Sequence, residues 1–245
     1  MPLPESSVSW WMVFSAIGVI AAIAFLVPWF LTDVLRVPRA AYLSALMLMT
    51  GGLTFGYLAW SGTDGMAFVS RYWPWGVLGA LVSGAITARA IRAAAGRRGL
   101  PVPVGRSRSR LAGALLWEGV FYGAAEGVLL SALPVLVAWQ GFHLLGWTET
   151  TAGALGSGVL AVGASALVIW IHHLGYREFR RTRMIVLPII ACGVLSLAYL
   201  ITRGAVAPVG GHFLTHAGME VRGVPMPPYS KGLMEPSPEV ELAAA

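Results

Sequence analysis

An all-helical, polytopic membrane bundle of about six spans is the fold this chain predicts, and three observations predict it. The 245 residues are 57% hydrophobic with a mean hydropathy of +0.72, too apolar for an ordinary soluble domain. The apolar residues fall in long continuous runs of Leu, Val, Ile, Ala and Gly, without the alternation that strands in a barrel require. The 17 basic side chains, nearly all Arg, are almost absent from those runs.

The first span covers 8–31, with Pro28 near its end as a kink or terminus. No basic side chain and no clear small-residue cleavage site precede it, which predicts a retained helix rather than a removed signal. The second covers 40–60, where Gly51, Gly52 and Gly56 permit close packing or a bend. The third covers 73–90 and opens on Trp73-Pro74-Trp75. A basic segment follows over 89–110, and Pro101 and Pro103 within it argue against a continuous helix. The fourth span, 111–139, contains Pro134; the fifth, 152–174, closes on two histidines; the sixth is 184–202. Trp10, Trp11, Trp29, Trp60, Trp73, Trp75, Trp139 and Trp147 lie near run ends, as in an interfacial belt.

Orientation follows from the basic clusters. Loops 89–110 and 175–183 are two spans apart and fall on one side, with Arg36 and Arg39, which the positive-inside rule makes cytoplasmic. Six spans would leave both chain ends outside, with 204–218 apolar enough to lie on the membrane or re-enter it as a further helix. The organisation expected is a transmembrane domain over 1–218 and an extended or disordered Pro-rich tail over 219–245. The formal charge of +6 does not imply nucleic acid, because the basic residues sit beside membrane segments, where topology and anionic lipid already require them. The bilayer is the expected partner, in the plasma membrane. The single Cys192 lies in an apolar run and reads as packing.

Two carboxylates break the apolar pattern. Glu118 and Glu126 stand inside the fourth span, and an intramembrane carboxylate marks a functional site by default. With Tyr122 between them they are four apart, on one face of an α-helix, and all three are catalytic candidates. The glutamates are separated by about 12 Å along a straight helix, too far to ligate one ion together. Gly119, Gly123 and Gly127 form an adjacent stripe that lets another backbone approach.

Four of the five histidines fall in two tight pairs. His172 and His173 close the fifth span, pointing about 100° apart, so that one of them faces the bundle. His212 and His216 are spaced i, i+4, the helical arrangement that presents two imidazoles to one zinc or another divalent transition metal. Phe213 stands where the zincin motif has its glutamate. Glu220 falls four residues beyond His216 and extends the same face.

The set Trp117-Glu118 through Glu126, Trp170-Ile171-His172-His173 and His212-Phe-Leu-Thr-His216 resembles the CAAX-protease and bacteriocin-processing family of intramembrane metalloproteases, over roughly 111–216. The chain departs from that family in lacking an adjacent Glu-Glu pair followed by arginine, and in having His216 where asparagine is expected. The resemblance implies a metal-dependent membrane hydrolase acting on a peptide or lipid near the bilayer. In it Glu126 or Glu118 is the general base, and His172 or His173, His212 and His216 are the ligands. The competing class is a proton- or cation-coupled transporter, or a membrane subunit of a larger complex with a membrane-protein partner. A shared centre also poses a question of depth. Six spans put His172 near the inner face and His212 near the outer, unless 204–218 re-enters deeply.

Overall fold

The computed structural model describes residues 1–4, 8–70, 72–97, 108–180 and 185–221, and every element among them is helical. Helix α1 spans Trp10–Val34 and α2 Arg39–Trp60. A short α3, Gly65–Ser70, leads to α4, Trp73–Arg97. Helix α5 runs over 108–144 and α6 over Thr151–Leu174. A single turn, α7 at Arg177–Arg180, precedes the antiparallel pair α8, Val186–Thr202, and α9, Val206–Val221. Five of these elements are long and apolar enough to cross a membrane, so the chain is an integral membrane helical bundle.

A helix stands at each of the six predicted spans, with shifted ends, but the sixth, Val186–Thr202, is shorter than the five long ones. The third continues to Arg97, into the stretch read from its arginines as a loop. The fourth lengthens at both ends, to 108–144. Pro28 does not end α1: the chain continues past it as a π-helical segment, Trp29–Val34. The Pro101 and Pro103 break, part of each basic loop and the proline-rich tail fall outside the described residues. Helix α9 continues to Val221, three residues past the boundary expected at 218.

Helix α5 is the axis of the bundle. About 78% of its most apolar stretch is buried, against 22–33% in the other four spans. It is not a uniform α-helix. Arg108–Ala114 is α, Leu115–Tyr122 is π, Gly123–Glu126 is one α turn, Gly127–Ala132 is π again, and Leu133–Leu144 is α. Pro134, which offers no N–H to the preceding turn, stands just after the second wide segment. π segments inside α-helices recur at functional sites because they redirect side chains locally.

Helix α9 settles the question of depth. Arg203 takes a left-handed conformation (φ 58°) that turns the chain, and the Ala205 N–H donates to the Phe68 carbonyl, fixing the turn at the end where α3 lies. From there α9 runs back for 16 residues, about 24 Å, between α4 and α5. It is a deep helix rather than an interfacial one, and Val221 lies at the end carrying the basic segments, not at the opposite end that six spans imply.

Glycines make that insertion possible. A methyl group added at Gly127 would lie 2.7 Å from the Val209 Cα, and one at Gly123 3.1 Å from the Phe213 Cα. The stripe on α5 does admit another backbone, and that backbone is α9. On the opposite side Gly76, Gly79 and Gly84 of α4 receive Val206, Ala207 and Leu214. Close packing of small residues is what associates helices where lipid and protein are equally apolar. The hydroxyls of Thr87 and Thr215 add a hydrogen bond between α4 and α9.

Two ion pairs tie the basic end together. Arg180 of α7 reaches Asp33 at the end of α1 at 2.8 Å, and Arg39 at the start of α2 reaches Glu118 at 3.0 Å.

Candidate metal centre

Helix α5 brings Glu126 to the middle of the bundle, where its carboxylate is 5% exposed. Three imidazoles from two other helices meet it there. His216 Nε2 lies 3.0 Å and His212 Nε2 3.4 Å from Oε2, and His172 Nε2 lies 3.4 Å from Oε1. The i, i+4 spacing on α9 presents two of these rings; the last turn of α6 presents the third. Glu126, His212 and His216 offer ligand atoms all within 4.8 Å of one another, a buried group that could hold a metal ion.

A second layer of hydrogen bonds orients this group. The Tyr122 hydroxyl donates to Glu126 Oε1 at 2.6 Å. Tyr176, one turn beyond His172, places its hydroxyl 3.2 Å from His172 Nε2 and 3.3 Å from the Tyr122 hydroxyl. Tyr42 of α2 completes the row through its hydrogen bond to Tyr176. All three phenols are buried. The His172 Nδ1–H donates to the main-chain carbonyl of Ala24 at 2.9 Å. A carbonyl can only accept, so the neutral His172 ring carries its hydrogen on Nδ1 and turns a lone pair, at Nε2, toward Glu126.

That assignment has an electrostatic consequence. The Nε2 lone pair, which the Tyr176 hydroxyl approaches to 3.2 Å, also faces a carboxylate oxygen at 3.4 Å, and those two repel in a site of low dielectric. Arrangements of this kind persist when a proton or a cation lies between the two groups. Two imidazole nitrogens and a carboxylate are a donor set that zinc and similar divalent ions take; His172 lies beside this three-residue group and has an outer hydrogen bond of the kind metal-bound histidines make. The Nδ1 atoms of His212 and His216 are buried without a hydrogen-bond partner among the described residues.

The remaining candidates lie elsewhere. Glu118 is about one-fifth exposed and pairs with Arg39, outside the imidazole cluster. Glu118 stands two turns before Glu126, about 12 Å away along the helix, which puts it beside Arg39 rather than among the imidazoles. His173 turns away, donating from Nδ1 to the Ile169 carbonyl at 2.8 Å and packing edge-on against Phe179. Glu220 is buried a turn beyond His216 and is not a member of the three-residue group. Sequence reasoning missed Tyr42, Tyr176 and the Ala24 carbonyl. Tyr176 carried a signal in its i+4 spacing from His172, and the Ala24 carbonyl one in Pro28, four residues on.

Comparison of the chain with protein-family models, with curated proteins and with solved structures finds no match.

Proposed function

We propose that the chain is a metal-dependent membrane hydrolase, with a peptide or lipid substrate cleaved inside the bundle. The observation that carries this reading is the His172 Nε2 lone pair facing Glu126 at 3.4 Å, in a cluster completed by His212 and His216. His172, His212 and His216 are the residues that would hold a zinc or similar divalent ion. Such an ion, when bound, lowers the pKa of a water and polarises a scissile carbonyl.

The protein groups have separable tasks. Glu126 accepts a proton from the attacking water through Oε2 and returns it to the leaving group, as a general base and then acid. Tyr122 holds Oε1 by its 2.6 Å hydrogen bond, so that the carboxylate keeps one orientation while the other oxygen works. Tyr176 and Tyr42 brace Tyr122 and His172 from the α2 side. Burial of the cluster keeps bulk water out, which strengthens every charge interaction within it. Histidines from two later helices facing a helix glutamate support the resemblance to the CAAX-protease and bacteriocin-processing family, from which the chain departs in lacking the adjacent Glu-Glu pair. Positive-inside orientation of the basic end puts the segments around Arg39, Arg108 and Arg177 in the cytoplasm of a plasma-membrane protein.

A proton- or cation-coupled transporter is the second reading. It is favoured by the phenol row Tyr122–Tyr176–Tyr42, which leads from Glu126 to within a helical turn of Arg39. Reconstitution in vesicles separates the two. Turnover of a quenched-fluorescent apolar peptide or a fluorogenic lipid ester, abolished by a chelator, restored by zinc and absent in Glu126→Gln, supports the hydrolase. Metal-independent proton flux that requires Glu126, with neither probe cleaved, supports the transporter.

A further inference from the structure

Pro28 sits inside α1, and the consequence reaches His172. In an α-helix the carbonyl of residue i accepts from the N–H of residue i+4. The partner of the Ala24 carbonyl is position 28, and proline has no N–H to give. The next N–H along, that of Trp29, donates to the Phe25 carbonyl, so it does not compensate. The Ala24 carbonyl is thus left as a fully buried acceptor in mid-helix, where an unmet polar group is penalised. It is met by His172 Nδ1–H at 2.9 Å, from another helix.

The backbones are close enough for this because of Gly175. A methyl group there would lie 2.7 Å from the Pro28 ring and 2.8 Å from the Phe25 carbonyl oxygen. Proline on one helix and glycine on the other therefore create a matched acceptor and approach.

We propose that Pro28 is a positioning residue for the centre: by withholding its N–H it reserves the Ala24 carbonyl for His172, fixing that ring as the Nδ1–H tautomer with Nε2 aimed at Glu126. The tautomer part stands whether or not an ion binds. The affinity part rests on the metal-centre reading. An amide N–H at position 28 competes for the carbonyl and loosens the ring, allowing the other tautomer to appear.

The test uses the full chain in nanodiscs with 15N-labelled histidine. Pro28→Ala supplies the competing N–H. An ester analogue of Pro28→Ala, with that backbone N–H replaced by oxygen, removes the ring but still offers no donor. Ring-nitrogen shifts of His172 in the metal-free protein report the tautomer directly. The expected result is a single Nδ1–H form in the natural chain and the ester analogue, and a tautomer mixture in Pro28→Ala. Zinc affinity is expected to fall about ten- to hundredfold in Pro28→Ala and to recover in the ester, the usual range for losing a partner of a metal-bound histidine. An unchanged tautomer in Pro28→Ala overturns the proposal. So does an equal disturbance in both variants, which would assign the effect to the proline ring against Gly175. If the natural chain binds no zinc while the tautomer behaves as stated, the metal reading fails and the positioning role stands.

Discussion

Glu118 and Glu126 stand eight residues apart on the same helix, and the molecule treats them differently. Glu118 lies near the basic end, about one-fifth exposed, with the Arg39 guanidinium from α2 beside it. Glu126 is enclosed by three imidazoles and a phenol from three helices. An arginine at a half-buried helix end is an ordinary partner for a carboxylate and stabilises little. Three imidazoles gathered on one enclosed carboxylate are not an economical way to stabilise a fold, since a well-packed apolar side chain would serve as well. The difference separates a helix-end contact from a centre built for an ion or a proton.

Removing each carboxylate sharpens that contrast. Glu126→Gln keeps the shape of the side chain and removes its basicity, so peptide or ester turnover is expected to fall about 10²–10⁴-fold, the range for losing a general base. Losing one of the proposed nitrogen ligands through His216→Ala is expected to weaken zinc binding by more than about a hundredfold, read by competition with a chromophoric chelator. Tyr122→Phe deletes a hydrogen bond to a charged acceptor, worth about 1.5–3 kcal/mol. Turnover should fall about ten- to hundredfold, with metal content unchanged. Gly127→Ala pushes a methyl group into the α9 backbone and is expected to destabilise the bundle by about 1–3 kcal/mol in thermal unfolding. Gly51→Ala, where the added methyl meets nothing within 4 Å, should not destabilise it. The smallest effect belongs to Glu118→Gln: at most about 1 kcal/mol of stability, with zinc and turnover retained.

The sequence exposed much of this because membrane chemistry is strict about charge. Continuous apolar runs bounded by arginines locate the spans, and carboxylates within one of them mark Glu118 and Glu126, of which only Glu126 lies among the imidazoles. The Gly119, Gly123 and Gly127 stripe predicted a close neighbour, and α9 is that neighbour. The i, i+4 histidines were legible as a pair facing one way. Their meeting with His172 was not, because it depends on a helix of 16 residues that is shorter than an ordinary span and reverses at Arg203. Glu118 illustrates another limit: its partner Arg39 lies 79 residues away in the chain, and nothing in local spacing names it. The Ala24 carbonyl is harder still, since a backbone acceptor leaves no trace in composition, and only Pro28 four residues on betrays it.

The most direct measurement is the metal content of the detergent-purified full chain after zinc loading and removal of excess, with Glu118→Gln and His216→Ala prepared alongside. The account predicts about one zinc ion per chain in the natural protein and in Glu118→Gln, and none retained in His216→Ala. No retained zinc in the natural protein, or the same content in all three, would contradict it.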